Sequence, residues 1–129
     1  MKFVPDTVIL IDYLNASSAA VKWVNENHDQ CVITPITRAE ILVGCDARML
    51  DVTNRWLDTF AHCDIDHSVA KSAAALRKSL RVKLPDALQA ACAATLGLTF
   101  VTRNTKDFSP QKFAALLIPY RLKAKRVGV

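Results

Sequence analysis

No run of apolar residues in this chain approaches the about 20 needed to cross a bilayer. The N-terminal VILI run is flanked by Asp6 and Asp12 and is too short for the core of a secretory signal, so a cytoplasmic protein is expected. The four cysteines, Cys31, Cys45, Cys63 and Cys92, form no CxxC and pair with no histidine, which removes the usual zinc frameworks. Each lies in or beside an apolar segment and is expected to be a buried free thiol. His28, His62 and His67 show no ligand spacing, and neither a GxGxxG nor a P-loop is present. No Ser/His/Asp or Cys/His arrangement competes for a catalytic role. Internal repeats, low-complexity tracts and linkers are also missing, so residues 1–129 read as one domain.

What remains is a globular composition, 51% hydrophobic and 22% charged. The net charge of +5 and the pI of about 9.2 favour a polyanionic partner, nucleic acid above all.

The most informative stretch is KLPDALQAACAATLGLTFVTRNTKDF, from Lys83 to Phe108. Pro85 suits the start of a helix, Leu88, Ala91, Cys92, Thr95 and Leu96 recur on one helical face, and Gly97 suits the helix end. Its many alanines keep that helix slim enough to lie close on a sheet. Leu98 to Thr102 then reads as a strand buried on both faces. Upstream, strands are expected at Lys2–Val4 and Cys31–Thr34, the latter closed by Pro35, with a weaker one at Cys63–Ile65. An apolar turn or helix is expected over Thr7–Leu14, and helices from Ser17 or Ser18 to Asn27, from Thr37 to about Met49, from Asp51 through Phe60, and from Ser68 to near Lys83. Phe113–Ile118 supplies a last short segment or strand, and the basic end, RLKAKRVGV (121–129), is expected to fray. Strands alternating with helices over short connections predict a three-layer α/β domain, with a mainly parallel sheet of four or five strands and helices on both faces.

Only twelve residues are acidic, and four of them, Asp6, Glu40, Asp86 and Asp107, fall at strand exits or helix starts. In a parallel sheet those places converge beyond the carboxyl ends of the strands. Each has an ordinary structural explanation alone; Thr37-Arg38-Ala39-Glu40, for example, has the form of a capping box. Together they form a self-repelling cluster that must share protons or bind a cation. All-oxygen ligands without His or Cys suit Mg²⁺ or Mn²⁺, and such an ion can direct water at a phosphodiester.

DTVILIDYL, ITRAEILVG and PDALQAACAATLGLTFVTRNTKDF resemble PIN-domain ribonucleases, and among them the VapC-type toxins of bacterial toxin–antitoxin pairs. The resemblance spans nearly the whole chain. It implies an acidic site at Asp6, Glu40, Asp86 and Asp107, with Thr102 orienting a carboxylate and Asn104 matching a position that is Asp or Asn in relatives. Whether Asn104 or Asp107 reaches the ion stays open. It further implies a PIN-like fold, a Mg²⁺- or Mn²⁺-dependent endoribonuclease acting on RNA, often transfer RNA, with inhibition of translation. A VapB-type antitoxin that blocks the site and a homodimer complete the picture. The chain departs from the family pattern at Pro5, where relatives carry an apolar residue, and at Val8, where Asn or Ser would supply a polar neighbour for the ion.

Arg38, Arg81, Lys83, Arg103 and Lys106 flank the acids and are the expected contacts to an RNA backbone. Two other readings compete: a PIN nuclease of RNA processing without an antitoxin, and a non-catalytic receiver-like module. A receiver would need an acidic pair after its first strand and an acceptor Asp after its third, a role only Asp64 or Asp66 could fill.

Overall fold

The structure, a computed structural model, describes residues 1–122; most of the basic tail (123–129) lies outside the described residues. Among the described residues there are five short strands: β1 (Phe3–Pro5), β2 (Val32–Ile33), β3 (Ala61–His62), β4 (Thr99–Val101) and β5 (Leu116–Leu117). Six α-helices accompany them: α1 (Thr7–Leu14), α2 (Ser18–Asn27), α3 (Pro35–Val43), α4 (Leu50–Leu57), α5 (His67–Leu80) and α6 (Leu84–Leu96). Every strand pairing is parallel: β1 with β4, β4 with β5, and β2 with β3. A bridge between Phe3 and Cys31 joins the two ladders, so the strands run in the order β3-β2-β1-β4-β5.

Strand side chains alternate between two cores, as the pleat requires. Val4, Val32 and Phe100 pack into one with the small inner residues of α5 and α6, among them Ala73, Ala87, Ala90 and Ala91. Ile33 and Val101 face the other, with Ile9 and Leu10 of α1, Val24 of α2, Ile41 of α3 and Leu57 of α4. The expected three-layer arrangement is therefore present, and no helix among the described residues is long and apolar enough to cross a membrane.

The boundaries differ from the sequence reading in informative places. Pro35 does not simply close a strand; it is the first residue of α3, and the Thr34 side chain caps that helix by accepting from the Thr37 N–H at 3.2 Å. The capping box that Thr37–Glu40 could have made does not form, because Thr34 already caps the helix three residues earlier. Nor does α3 run on to Met49: Gly44 ends it, and a short 3-10 turn capped by Asp46 follows over Ala47–Met49. The third strand lies at Ala61–His62 rather than Cys63–Ile65, because it pairs with a β2 only two residues long. Pro85 sits in the first turn of α6, and Gly97 closes that helix with φ of 68°, a left-handed value that glycine adopts without strain. All four cysteines are free, with Cys31 and Cys92 buried but Cys45 and Cys63 only partly so.

Phe100 is fully buried and meets Phe108 and Phe113 edge-on, with ring centroids 5.0 and 6.3 Å away. Phe100→Ala should lower unfolding stability by about 3–5 kcal/mol, measured by denaturant titration. A loss below about 1 kcal/mol would show that this core refills easily.

Candidate active site

Three of the four expected acids reach one cleft. β1 ends at Pro5, so Asp6 emerges at the carboxyl end of the sheet, where its N–H donates to Val101 O at 2.7 Å. Asp86 stands in the first turn of α6, and Glu40 projects from α3. Together with Thr7, Val8, Ile11, Arg103, Asn104, Thr105 and Lys106 they line an open cleft of about 490 Å³.

Asp6 is only 5% exposed. Its Oδ2 accepts from Thr102 Oγ1 at 2.7 Å. Burial pushes its carboxyl up to about 6, opposed by the Thr102 hydrogen bond and assisted by the charges of Asp86 and Glu40. Asp86 is also raised, first by burial and then by Glu40 and Asp107.

Asp107 does not line the cleft, although it stands close enough to act on Asp86. Its Oδ2 accepts from Asn104 Nδ2 at 3.0 Å, and its own N–H donates to Asn104 Oδ1 at 3.2 Å. The Asn104 N–H in turn donates to Thr102 Oγ1 at 3.1 Å. Asn104 thus faces the cleft with Asp107 holding its amide, and Thr102 links that loop to Asp6.

The basic residues divide. Arg103 and Lys106 line the same cleft as the acids. Lys83 directly precedes α6, close enough to Asp86 to favour its charged form, and Arg81 ends α5 in a left-handed conformation. Arg38 does not line the cleft: it donates to Asn54 and Asp58 at 2.9 and 2.7 Å and meets the His62 ring. Its expected RNA contact has no support in this placement, because Asn54 of α4, Asp58 just after that helix and His62 of β3 engage its guanidinium.

Sequence reasoning missed Gln89, which lies on the inner side of α6 and is fully buried. Its Oε1 accepts from the Thr7 N–H at 3.0 Å and from Thr37 Oγ1 at 3.2 Å. Those donors fix the amide orientation and turn Nε2 toward Glu40 Oε1, 3.3 Å away. Thr7 Oγ1 donates to the same Glu40 oxygen at 2.8 Å. A glutamine on an otherwise apolar helical face was the only available signal. Buried Asp12, which holds Arg103, was missed as well.

Among the described residues no three His, Cys, Asp or Glu side chains converge closely enough to enclose an ion by themselves. The donors fit a hard, hydrated ion instead. They are oxygen atoms on an open cleft, and Mg²⁺ commonly keeps several waters while bound by one or two carboxylates. Asp6 and Asp86 resist ionisation in the absence of a counter-charge, which a cation would supply.

The PIN domain family model matches residues 3–112. The chain belongs to the PIN domain family. Its structure is similar to a chain in a toxin–antitoxin complex from Klebsiella pneumoniae, with a TM-score of 0.87 and 33% identity over 94% of this chain and 100% of that one. It is also similar to DNA-bound VapBC from Salmonella typhimurium, with a TM-score of 0.73 and 24% identity over 90% of this chain and 95% of that one. FitAcB from Neisseria gonorrhoeae matches with a TM-score of 0.70 and 22% identity over 93% and 99% of the two chains. The last two likenesses speak for the fold alone. The Klebsiella pneumoniae neighbour agrees with the resemblance to PIN proteins of toxin–antitoxin pairs read from the sequence. No curated protein sequence matches the chain. A receiver-like module is set aside, since Asp66 caps α5 by accepting from the Val69 N–H and, with Asp64, lines a different cavity.

Two outcomes follow from this PIN cleft. The folded Asp6 carboxyl holds its proton up to about 6, against 3.8 for the unfolded chain. The folded state therefore binds more protons between those values, and stability falls as pH rises through them. Asp6→Asn removes the penalty and should stabilise the protein by up to about 3 kcal/mol above pH 6, the gain fading as pH falls toward 4. Melts of both proteins across that range check the sign. Gln89→Leu strands the Thr7 and Thr37 donors and should cost about 1–3 kcal/mol, read by denaturant titration. An unchanged midpoint would show that water replaces the amide.

Proposed function

We propose that this PIN domain is a VapC-type endoribonuclease, using Mg²⁺ or Mn²⁺ and neutralised by a VapB-type antitoxin. The observation that carries the reading is a single cleft that brings an acidic wall of Asp6, Glu40 and Asp86 together with the basic Arg103 and Lys106. An RNA backbone needs both: positive groups to hold its phosphates and carboxylates for the ion that assists cleavage.

A divalent ion would be held by Asp6, Asp86 and Glu40, with Asp107 close to Asp86, and when bound supplies a more acidic water and charge relief at the phosphate. The chain's own residues prepare the rest. Thr102 fixes one oxygen of Asp6, while Gln89 and Thr7 fix one oxygen of Glu40, so both carboxylates are pre-oriented. Asn104, steadied by Asp107, presents a polar amide at the same rim. Lys106 adds an exposed positive charge for the phosphate backbone.

Transfer RNA is the substrate we favour, with loss of translation as the cellular result. The antitoxin reading is supported by a second, mostly apolar groove of about 300 Å³ that shares Ile11 and Glu40 with the cleft. A partner segment lying along Leu14, Ile41 and Met49 in that groove would reach the acids directly. A homodimer formed in the cytoplasm through helices on one side of the sheet completes the proposal.

Asp6→Asn, Asp86→Asn and Glu40→Gln keep shape and remove charge. Each should lower RNA cleavage by about a thousandfold or more, since a lost ligand costs several kcal/mol at about 1.4 kcal/mol per decade. Millimolar Mn²⁺ should raise the wild-type melting temperature and raise it less in each variant. A fully active Glu40→Gln would remove Glu40 from the ligand set, and a wild type that cuts no RNA with either ion would end the nuclease reading.

A further inference from the structure

Asp12 is a buried carboxylate with no part in the acidic wall; it is 6% exposed and projects from α1. Its two oxygens take a side-on pair of hydrogen bonds from Arg103, Nε to Oδ2 at 2.6 Å and Nη2 to Oδ1 at 3.1 Å. The Tyr120 hydroxyl donates to the same Oδ2 at 2.8 Å. Three elements distant in sequence thus meet at one carboxylate: α1, the loop after β4, and the segment after β5.

A guanidinium offers five N–H donors in a flat fork. Asp12 occupies the Nε edge, and the Nη1 group makes no hydrogen bond among the described residues. Arg103 lines the same cleft as Asp6, Glu40 and Asp86, and Asp12 leaves the Nη1 end of its fork uncommitted. An end-on pair of N–H donors matches two oxygens of a phosphate.

We propose that Arg103 grips a phosphate of the RNA backbone through Nη1 and Nη2, and that Asp12 and Tyr120 are positioning residues that keep the guanidinium turned for that contact. The inference rests on the ribonuclease reading above. The Arg103–Asp12 pair is neutral as a whole, so its contribution is short-ranged and geometric. Lys106, exposed and without a salt-bridge partner among the described residues, supplies the long-range attraction.

That division sets the test. A short fluorescein-labelled single-stranded RNA is titrated with the full chain, in EDTA and again in Ca²⁺, over a range of salt. Arg103→Lys keeps the charge but loses the fork, and should weaken binding about tenfold with an unchanged salt slope. Tyr120→Phe removes only a hydroxyl from Asp12 and should weaken binding about threefold, again without a slope change. Lys106→Ala should instead reduce the slope by about one. In cleavage assays Arg103→Lys should raise KM more than it lowers kcat. Thermal melts establish that each variant is folded; if Arg103→Lys is not, Tyr120→Phe decides. Wild-type affinity in folded Arg103→Lys or Tyr120→Phe would overturn the inference, as would a lowered salt slope for Arg103→Lys. A wild type that binds RNA in neither condition would remove the ribonuclease reading, and this inference with it.

Discussion

The amide of Gln89 is the constraint on which the acidic wall depends. One fully buried side chain accepts from α1 and α3 and donates to Glu40, and so ties three helices to one point beneath the cleft. A buried amide with every partner present is stable; the same amide with one partner missing is a penalty of about 1–3 kcal/mol. That asymmetry makes the arrangement all-or-none. The distance between α1 and α6 is set by hydrogen-bond length rather than by the looser tolerance of apolar contact.

The cleft itself works against stability. Burial and mutual repulsion raise Asp6 and Asp86, so the folded chain holds two acids in a state they would not choose in water. The surrounding cores offset this. Alanines at positions 87, 90, 91 and 93 are fully buried and let α6 settle closely on the sheet, which brings Asp86 near Asp6 without a long side chain between them. Fold and site share the same residues here, since the turn of α6 that packs Ala87 and Ala90 also carries Asp86 and Gln89.

The sequence made legible what is local and periodic. The Lys83–Phe108 stretch declared its helix, its glycine stop and its strand, and β1, α1, α2 and α5 also fell close to their expected places. The convergence of Asp6, Glu40 and Asp86 followed from parallel topology, which places strand ends together whatever the spacing in sequence. Weak or long-range signals stayed hidden. Thr34-Pro35 was a stronger helix start than Thr37-Arg38-Ala39-Glu40, with a hydroxyl cap followed by proline at the first helical position, but β2 directly before it invited the reading of a strand end. Two-residue strands such as β3 take their position from a partner rather than from their own composition. The links from Asp12 to Arg103 and from Gln89 to Thr7 span 91 and 82 residues, and no pattern within one sequence announces such pairs.

Strand order carries a consequence for how the chain is made. β1 lies in the middle of the sheet, yet its neighbour β4 is the fourth strand to leave the ribosome. Asp6 meets Thr102 across 96 residues, and Asp12 meets Tyr120 across 108. The first acid of the cleft therefore waits, unplaced, for most of translation, and contacts this distant are slow to close. A ribosome that stops at α5 releases a fragment with Asp6 and Glu40 but without Asp86 or the loop that holds Arg103. For a protein whose finished cleft is proposed to attack RNA, this topology is a safety catch: assembly of the site coincides with completion of the sheet, and truncated products are left unarmed.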